Sequence, residues 1–569
     1  MAEKSEVSVS KGAIVIGNNA AAIQAALTLA QMKVEVKVIT NSVALGWDDA
    51  GSDIADNSFL GQRFLWPLLL RATNHPLITL YTNAEVESIE GKKGDFKIRI
   101  IQHPRYIHED ICTGCGRCQA ECPVKLTSLL KGQRITHSAI HMPLLEAKAV
   151  PSAYMIDKNG FAPCQVACPL GINVQGFVSL LANGKTDKAL ALINESAPLA
   201  GILGRVCTHP CEDNCNRAKV DSPVSIRALH RYAADNAPSG IKYSRKFPAR
   251  SREGKIAIVG SGPAGLMAAW ELTRLGYSPT ILESHGVIGG MLATGIPRFR
   301  LPREIREREI EAIKNLGIDI RTGITVGRDV TFVYLKERGY RVFFLSIGAQ
   351  RNNKLNIPGE ELEGVVDCMP LLLTLNLKVD TVDTFVGANV VVIGGGNAAI
   401  DAARTAFRSR AKKVTIFYRR TRAEMPANPE EVEEAIKEGV KIEYRTVPVE
   451  ILGDSGRVTG IRCQRAKLSE EIMANGQRRP VLIPGTDFVI DTDQIVVAIG
   501  QSPNASQLNM EGLAIDSNTG VIEVNPLTLE TSIPGVFAGG DCITGPNNVV
   551  EAMAAGLRAA ESIDRYMQG

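Results

Sequence analysis

One pattern recurs three times along the chain: an apolar strand, a glycine turn, a helix and a second apolar strand. At Lys255–Glu283 it reads KIAIVGSGPAGLMAAWELTRLGYSPTILE. Gly260, Gly262 and Gly265 complete G-x-G-x-x-G, with Ser261, Pro263 and Ala264 between them. The first glycine allows the tight turn, the second lets backbone N–H groups reach a pyrophosphate, and the third lets helix and strand pack closely. Twenty-three residues after Gly260 the next strand ends at Glu283, an acid able to accept hydrogen bonds from ribose hydroxyls. Strand, turn, helix, strand and acid are in register, so a dinucleotide site is expected over Gly260, Gly262, Pro263, Ala264, Gly265 and Glu283.

The copy from Val390 reads VVVIGGGNAAIDAARTAFRSRAKKVTIFYRR. Gly394, Gly396 and Ala399 give G-x-G-x-x-A, and Gly395, Asn397 and Ala398 fill the turn. Its next strand ends in Arg419 and Arg420 instead of an acid. Guanidinium groups bind a 2′-phosphate that a carboxylate would repel. This predicts a nicotinamide site favouring NADP(H). With the two arginines as a solvated strand end, NAD(H) is the alternative. The first copy, GAIVIGNNAAAIQAALTLAQMKVEVKVIT, aligns without a gap, Gly17 standing for Gly260. Asn19 replaces the second glycine, Ala22 the third and Thr40 the acid. It is expected to keep the fold and to have lost the flavin. The ten residues or so before it look unstructured.

Composition limits the alternatives. The chain has 569 residues, too many for one core, and three to five structural units are expected. A net charge of +3 gives no basis for bulk capture of nucleic acid or membrane. No apolar run reaches the length of a membrane helix, and FLGQRFLWPLLL (Phe59–Leu70) reads as a core or interface helix. The N-terminus has no secretory h-region, so a cytoplasmic address is expected. Ser-His-Asp, zinc-hydrolase and kinase signatures are absent.

Twelve cysteines are many for a reducing compartment, and nine of them fall in two groups, which argues for metal over disulfides. Cys112, Cys115, Cys118 and Cys122 give C-x2-C-x2-C-x3-C-P, the bacterial ferredoxin run. A zinc knuckle is its alternative reading. Either all four thiolates hold one [4Fe–4S] cluster or Cys122 is lent to another. Cys164, Cys168, Cys207, Cys211 and Cys215 bracket an amphipathic helical segment. Five thiols are one more than one cluster needs and too few for two. His230 is a possible further ligand. One to three clusters are possible in all, with two expected. Cys368 and Cys463 stand alone and read as buried, so a redox dithiol is not expected.

From about residue 160 the chain resembles the small subunit of glutamate synthase, the flavin subunits of bifurcating ferredoxin:NADP oxidoreductase, and the N-terminal half of dihydropyrimidine dehydrogenase. PCQVACP, GRVCTHPCEDNC, SPVSIRAL, GSGPAG, GGMLATGIPRFRLP, GGGNAAID, YRRTRAEMPA and GVFAGGDCITGPNNVVEAMAAG carry the likeness. It implies an FAD domain interrupted by an NAD(P) domain and fed by a helical iron–sulfur domain. It implies cofactor contacts at Gly290, Met291, Gly500, Gly540, Asp541 and Asn548, with Asp541 on the flavin ribityl chain. These relatives carry two further cysteines before the position of Cys164, where this chain reads YMIDKNGFA. In dihydropyrimidine dehydrogenase-like chains a polar group replaces one thiolate, at a position matching His230. Residues 1 to about 160 are similar to the start of the flavin subunit of heterodisulfide reductase, through HPLITLYTNAEVESIEGKKGDFKIRIIQHPRYIHEDICTGCGRCQAECPVK and AIHMPLLEAKAVPSAYMID. Only the front of that subunit is matched, which suggests a scaffold for the first cluster.

The expected fold is α/β. A degenerate FAD-type half domain covers 1–105, a ferredoxin-like segment 106–150 and a helical iron–sulfur domain 151–250. FAD-domain halves cover 251–375 and 490–569, around an NAD(P)-binding domain at 376–489. The expected function is NAD(P)H-dependent electron transfer through FAD and [4Fe–4S] clusters to a partner subunit or ferredoxin, within a hetero-oligomer. A self-sufficient, possibly bifurcating NAD(P)H:ferredoxin oxidoreductase and a non-catalytic scaffold are the alternatives. No side chain is expected to act as acid or base.

Overall fold

The computed structural model describes residues 3–9, 12–45, 67–92, 95–109, 111–122, 124–130, 133–142, 151, 153–157, 161–238, 240–241, 243, 252–377, 387–472 and 477–569. The expected helix at Phe59–Leu70 lies largely outside them. The chain divides into two compact units, residues 1–162 with 216–223, and residues 163–215 with 224–569.

In the first unit, β1 (Glu3–Val9) pairs antiparallel with β6 (Asp95–Gln102), from Glu3 opposite Gln102 to Val9 opposite Phe96. The leading residues are therefore a strand and not the unstructured lead expected. The reason is non-local: β6, already paired with β5 (Ala84–Lys92), leaves a free edge whose backbone groups need partners. β2 (Gly12–Ile16), β3 (Glu35–Ile39) and β4 (Ile78–Tyr81) form a parallel sheet in that order. Helix α1 (Ala20–Gln31) connects the first two. Ile23, Leu27 and Ala30 recur at helical spacing and bury against Val36 and Val38 of β3. Beyond the first cysteine group come the hairpin β7 (Lys125–Leu130) and β8 (Gln133–Ser138) and the short ribbon β9 (Ile140–His141) with β10 (Met155–Ile156).

The second unit opens with helices. The segment expected to be one amphipathic stretch is α2 (Val174–Ala182), α3 (Thr186–Asn194) and α4 (Ala200–Val206), followed by α5 (Ile226–Asn236). Gly184, at φ +67°, breaks the first two apart, and Pro198 cannot continue the third turn into the next. An alternating α/β region follows: β11 (Lys255–Val259), α6 (Pro263–Arg274), β12 (Ser278–Glu283), α7 (Arg303–Lys314), β13 (Asp319–Thr322) and β14 (Tyr340–Leu345). The chain then leaves this sheet. It builds β15 (Val365–Asp367), α8 (Cys368–Leu377), β16 (Asn389–Ile393), α9 (Asn397–Arg408), β17 (Lys413–Tyr418), α10 (Pro429–Glu438), β18 (Lys441–Tyr444) and β19 (Gln494–Val497). These strands make a parallel sheet in the order β15-β19-β16-β17-β18, with an antiparallel sheet inserted between residues 446 and 491. The chain returns at β20 (Val536–Ala538), which completes the earlier parallel sheet as β13-β12-β11-β14-β20, and ends in α11 (Val549–Gln568).

The iron–sulfur helices and the first α/β region share one core, in which Phe177, Ile193 and Leu203 bury with Trp270, Ile313 and Met553. A buried carboxylate joins them. Glu309 of α7 accepts the backbone N–H groups of Gly201 and, at 2.9 Å, of Ile202, in the first turn of α4. These are among the N–H groups a helix cannot satisfy by itself. Burial outweighs the two donors and pushes the Glu309 carboxyl up to about 7 from its usual 4.5. The folded state therefore holds this proton more tightly than the unfolded chain. The stability tied to it is full below about pH 4.5 and is lost as the pH rises to about 7, on the order of 3 kcal/mol. Glu309→Gln should flatten the fall in urea midpoint between about pH 5 and 7.5. An unchanged slope in the variant would place the pH dependence elsewhere.

Candidate functional site

The three glycine turns keep their first glycine in the left-handed region, with φ +134° at Gly17, +104° at Gly260 and +147° at Gly394. They differ at the next step. Gly262 and Gly396 stand as the N-caps of α6 and α9 with no side chain capping the helix, and a Cβ at either would meet open space. The first backbone N–H groups of both helices thus face an open approach, the arrangement a pyrophosphate takes. At α1 the N-cap is Asn19, whose side chain accepts the Ala22 N–H at 2.9 Å. Asn19 does more than crowd a phosphate: it uses one of the donors the phosphate would need. Thr40, in the acid's place, is buried, and its hydroxyl accepts the Ser42 N–H.

Around the second turn the contacts are closely built. Glu283 is buried and accepts the Ser261 N–H at 2.9 Å and the Ser261 hydroxyl at 2.6 Å, while its other oxygen takes the His285 N–H at 2.8 Å. The Ser284 hydroxyl donates to that second oxygen at 3.2 Å, so the roughly four acceptor positions of the carboxylate are taken, and a ribose hydroxyl would have to displace one of these donors; holding the glycine turn is a second task the sequence did not reveal. Ser261 Oγ also accepts the Gly289 N–H at 3.1 Å. This brings the Gly290–Met291 loop over the turn, where a Cβ on Gly290 would lie 2.8 Å from the Gly262 Cα. Gly265 packs so closely that a Cβ would run into the Gly260 carbonyl. Gly540, at φ +77°, and Asp541 follow β20, and a Cβ on Gly540 would lie 3.1 Å from that of Ala264. Burial pushes the Asp541 carboxyl up to about 6, against a single N–H from Asn547. Asn548 caps α11 through the Glu551 N–H, which commits its side-chain oxygen to the helix.

At the third turn, Asn397 accepts the Asn428 N–H at 2.9 Å and Gly395 accepts the Ala427 N–H, fastening the loop before α10 to the glycines. A Cβ on Gly395 would strike the Tyr418 ring. Gly500, at φ +103°, receives the Asn353 N–H where the chain crosses between the two parallel sheets. The arginine pair divides. Arg419 is exposed. Arg420 is 3% exposed and its Nε donates to the Arg478 carbonyl at 2.9 Å. Of the two expected arginines, Arg419 is therefore the one on the surface, while Arg420 is held by a partner 58 residues away.

The cysteines form two sets, one in each unit. In the first unit Cys112 and Cys115 lie on a loop turned by Gly114 and Gly116, both at positive φ, Cys118 lies in the short cysteine helix Arg117–Ala120, and Cys122 is buried. Hydrogen bonding from the Arg117 N–H and from Thr113 lowers the Cys115 thiol. In the second unit Cys207 and Cys211 are pushed up to about 11 and about 12 by burial, with neighbouring thiols adding to it, and Cys164 is raised by burial and by Cys215. Cys168, Cys207, Cys211 and His230 line one cavity with apolar walls from Phe177 and Val550. His230 is 6% exposed, and its Nε2 has no partner. Among the described residues no three His, Cys, Asp or Glu side chains are drawn together as ligands of a single metal ion. A cubane asks for something different, one thiolate on each of several irons. Three thiols and one unpartnered imidazole nitrogen around an apolar-walled cavity fit it, with Cys164 and Cys215 nearby in the chain as further donors. Cys368, Cys463 and Cys542 are each buried, pushed up to about 12, and packed in three different cores, so no pair of them is a redox dithiol.

Residues 254–556 match the model for pyridine nucleotide-disulphide oxidoreductase. The chain belongs to that family. Residues 134–240 match dihydropyrimidine dehydrogenase domain II, a 4Fe-4S segment, and 105–125 match a 4Fe-4S binding domain. The chain is 42% identical over 429 residues to the NADP(+)-dependent formate dehydrogenase subunit beta of Moorella thermoacetica, a match covering 72% of this chain and 60% of that one. It is 37% identical over 437 residues to the NADPH-Fe(3+) oxidoreductase subunit beta of Geobacter sulfurreducens, covering 72% and 64%. It is 32% identical to the glutamate synthase [NADPH] small chain of Escherichia coli, covering 77% of this chain and 96% of that one. This member of the pyridine nucleotide-disulphide oxidoreductases is thus a flavin and iron–sulfur oxidoreductase of FAD, NADP(H) and [4Fe–4S] clusters. Its two cysteine groups, Cys112–Cys122 and Cys164–Cys215, lie outside the residues that match that family. Among the described residues no helix is long and apolar enough to cross a membrane.

Ser261, Tyr418 and Arg478 escaped the sequence reading, since each acts through a partner distant in sequence or hidden inside a turn. The division of the arginines gives a direct prediction. Arg419→Ala should raise the KM for NADPH about 10- to 100-fold, the loss of one charged hydrogen-bonding contact, with little change for NADH. Steady-state reduction of an artificial acceptor measures both, and an equal loss with NADH would remove Arg419 from the 2′-phosphate.

Proposed function

We propose that the chain is the nucleotide-side subunit of a larger electron-transfer assembly, taking reducing equivalents from NADPH and delivering single electrons to a protein partner. One observation carries this reading. Val550, in the first turn of α11 and two residues after Asn548, walls the cavity that Cys168, Cys207 and Cys211 line. The loop of Gly540 and Asp541 thus runs directly into a helix that backs onto the cysteines, within one core. When bound, FAD supplies the exchange between two-electron and one-electron chemistry, and [4Fe–4S] clusters carry single electrons.

The residues do the placing. The open N-termini of α6 and α9 bind the pyrophosphates of FAD and of the nicotinamide nucleotide. Glu283 holds the Gly260 turn through Ser261 and faces the ribose. Arg419 selects the 2′-phosphate. Cys112, Cys115, Cys118 and Cys122 hold one cluster, and thiols of the Cys164–Cys215 set hold another. No side chain moves a proton in this scheme. The N-terminal α/β sheet, its helix already capped by Asn19, holds the first cysteine loop and binds no dinucleotide. Three relatives named as beta or small subunits support a place in an assembly.

Anaerobic purification from the source cells, with mass spectrometry of what remains bound, tests the proposal. A companion polypeptide in stoichiometric amount, together with bleaching of the flavin by NADPH, is the expected result. A lone chain that reduces ferredoxin with NADPH would make it self-sufficient. A flavin that NADPH fails to bleach would leave only a scaffold.

A further inference from the structure

The first cysteine loop has a neighbour from well outside its own motif. The β9–β10 ribbon, with Met155 opposite His141 and Ile156 opposite Ile140, carries Tyr154 back beside it. The ribbon is fastened at several points: Ser138 Oγ donates to the Gln119 carbonyl in the cysteine helix, Asp157 N–H to Ala139, and Ile156 N–H to Arg105. Tyr154 is 7% exposed. Its backbone N–H donates to Cys112 Sγ at 3.5 Å. Its hydroxyl lies 3.2 Å from where a Cβ on Gly116 would stand, between Cys115 and Cys118, and within electrostatic reach of Cys118, Cys115 and Cys112. Gly116 therefore does two things. It turns the loop at φ +77°, and it leaves room for a phenol.

We infer that Tyr154 is a positioning residue of the first cluster and that its hydroxyl donates a hydrogen bond into that cluster's sulfur shell. Adding one electron to a cluster raises its negative charge and makes or breaks no bond. A buried O–H donor favours the more negative state, and hydrogen bonds to sulfur together with solvent exclusion are the protein's means of setting such a potential. Tyr154 supplies the first, with its hydroxyl beside Gly116, between Cys115 and Cys118, and its N–H on Cys112. The inference rests on the reading that Cys112, Cys115, Cys118 and Cys122 hold a [4Fe–4S] cluster.

The test is a redox titration of the full chain followed by electron paramagnetic resonance. Tyr154→Phe keeps the ring and removes the donor. The midpoint potential of the first cluster should fall by about 59 mV, a tenfold change in its one-electron equilibrium, with iron and sulfide content intact and the other cluster signals unmoved. An unchanged potential with the cluster retained overturns the inference. Fluorotyrosine at 154, a stronger donor, should move the potential the opposite way, and a shift in the same direction as Tyr154→Phe overturns it as well. If Cys115→Ser leaves iron content and every signal unaltered, the underlying assignment of this cluster fails, an outcome distinct from the other two.

Discussion

A helix that starts directly after a strand leaves its first backbone N–H groups without partners, and what satisfies them decides what each of the three glycine turns can do. At α6 and α9 a glycine N-cap leaves those donors free and the space before them open. At α1 the Asn19 side chain has taken one of them. On the proposed reading the same strand-turn-helix unit serves as a ligand site twice and as a structural unit once. The asparagine that closes the turn before α1 also stabilises its helix, since an asparagine N-cap is worth about 1 kcal/mol over alanine. One side chain caps this helix and takes a donor that a phosphate would need.

The second requirement is set by the thiols. Cys207 and Cys211, pushed up to about 11 and about 12, are protonated at neutral pH unless something stabilises the thiolate. Iron bound there would supply that charge, and the apolar walls that raise the thiols would also keep water from a cluster. The core that encloses them is continuous with the first parallel sheet, and Glu309 ties the iron–sulfur helices to α7. Burial has a double consequence here: it joins the two cofactor regions and makes their junction sensitive to pH.

Local chemistry was legible in the sequence wherever it depended on spacing. The glycine turns, the closing acid, the ferredoxin run and the degeneracy at Asn19 and Thr40 all follow from residues a few positions apart. What could not be read depends on partners brought together by folding. Arg420 turns inward because a carbonyl of a distant strand receives it. Glu283 serves the turn because Ser261 offers it two donors. β1 forms because β6 has a free edge, and Tyr154 reaches the cysteine loop because a two-residue ribbon folds back. Periodicity reports which face of an element is buried; it carries no information about which distant group meets it.

The central claim is that two of the three turns hold a dinucleotide and that one of those holds the only FAD. It is tested most directly by counting flavin in the full chain, purified without air and compared with polypeptide by amino-acid analysis. One FAD per chain is the predicted result. Two per chain would contradict the account, because a second flavin would have to sit on a helix whose N-terminus Asn19 already fills.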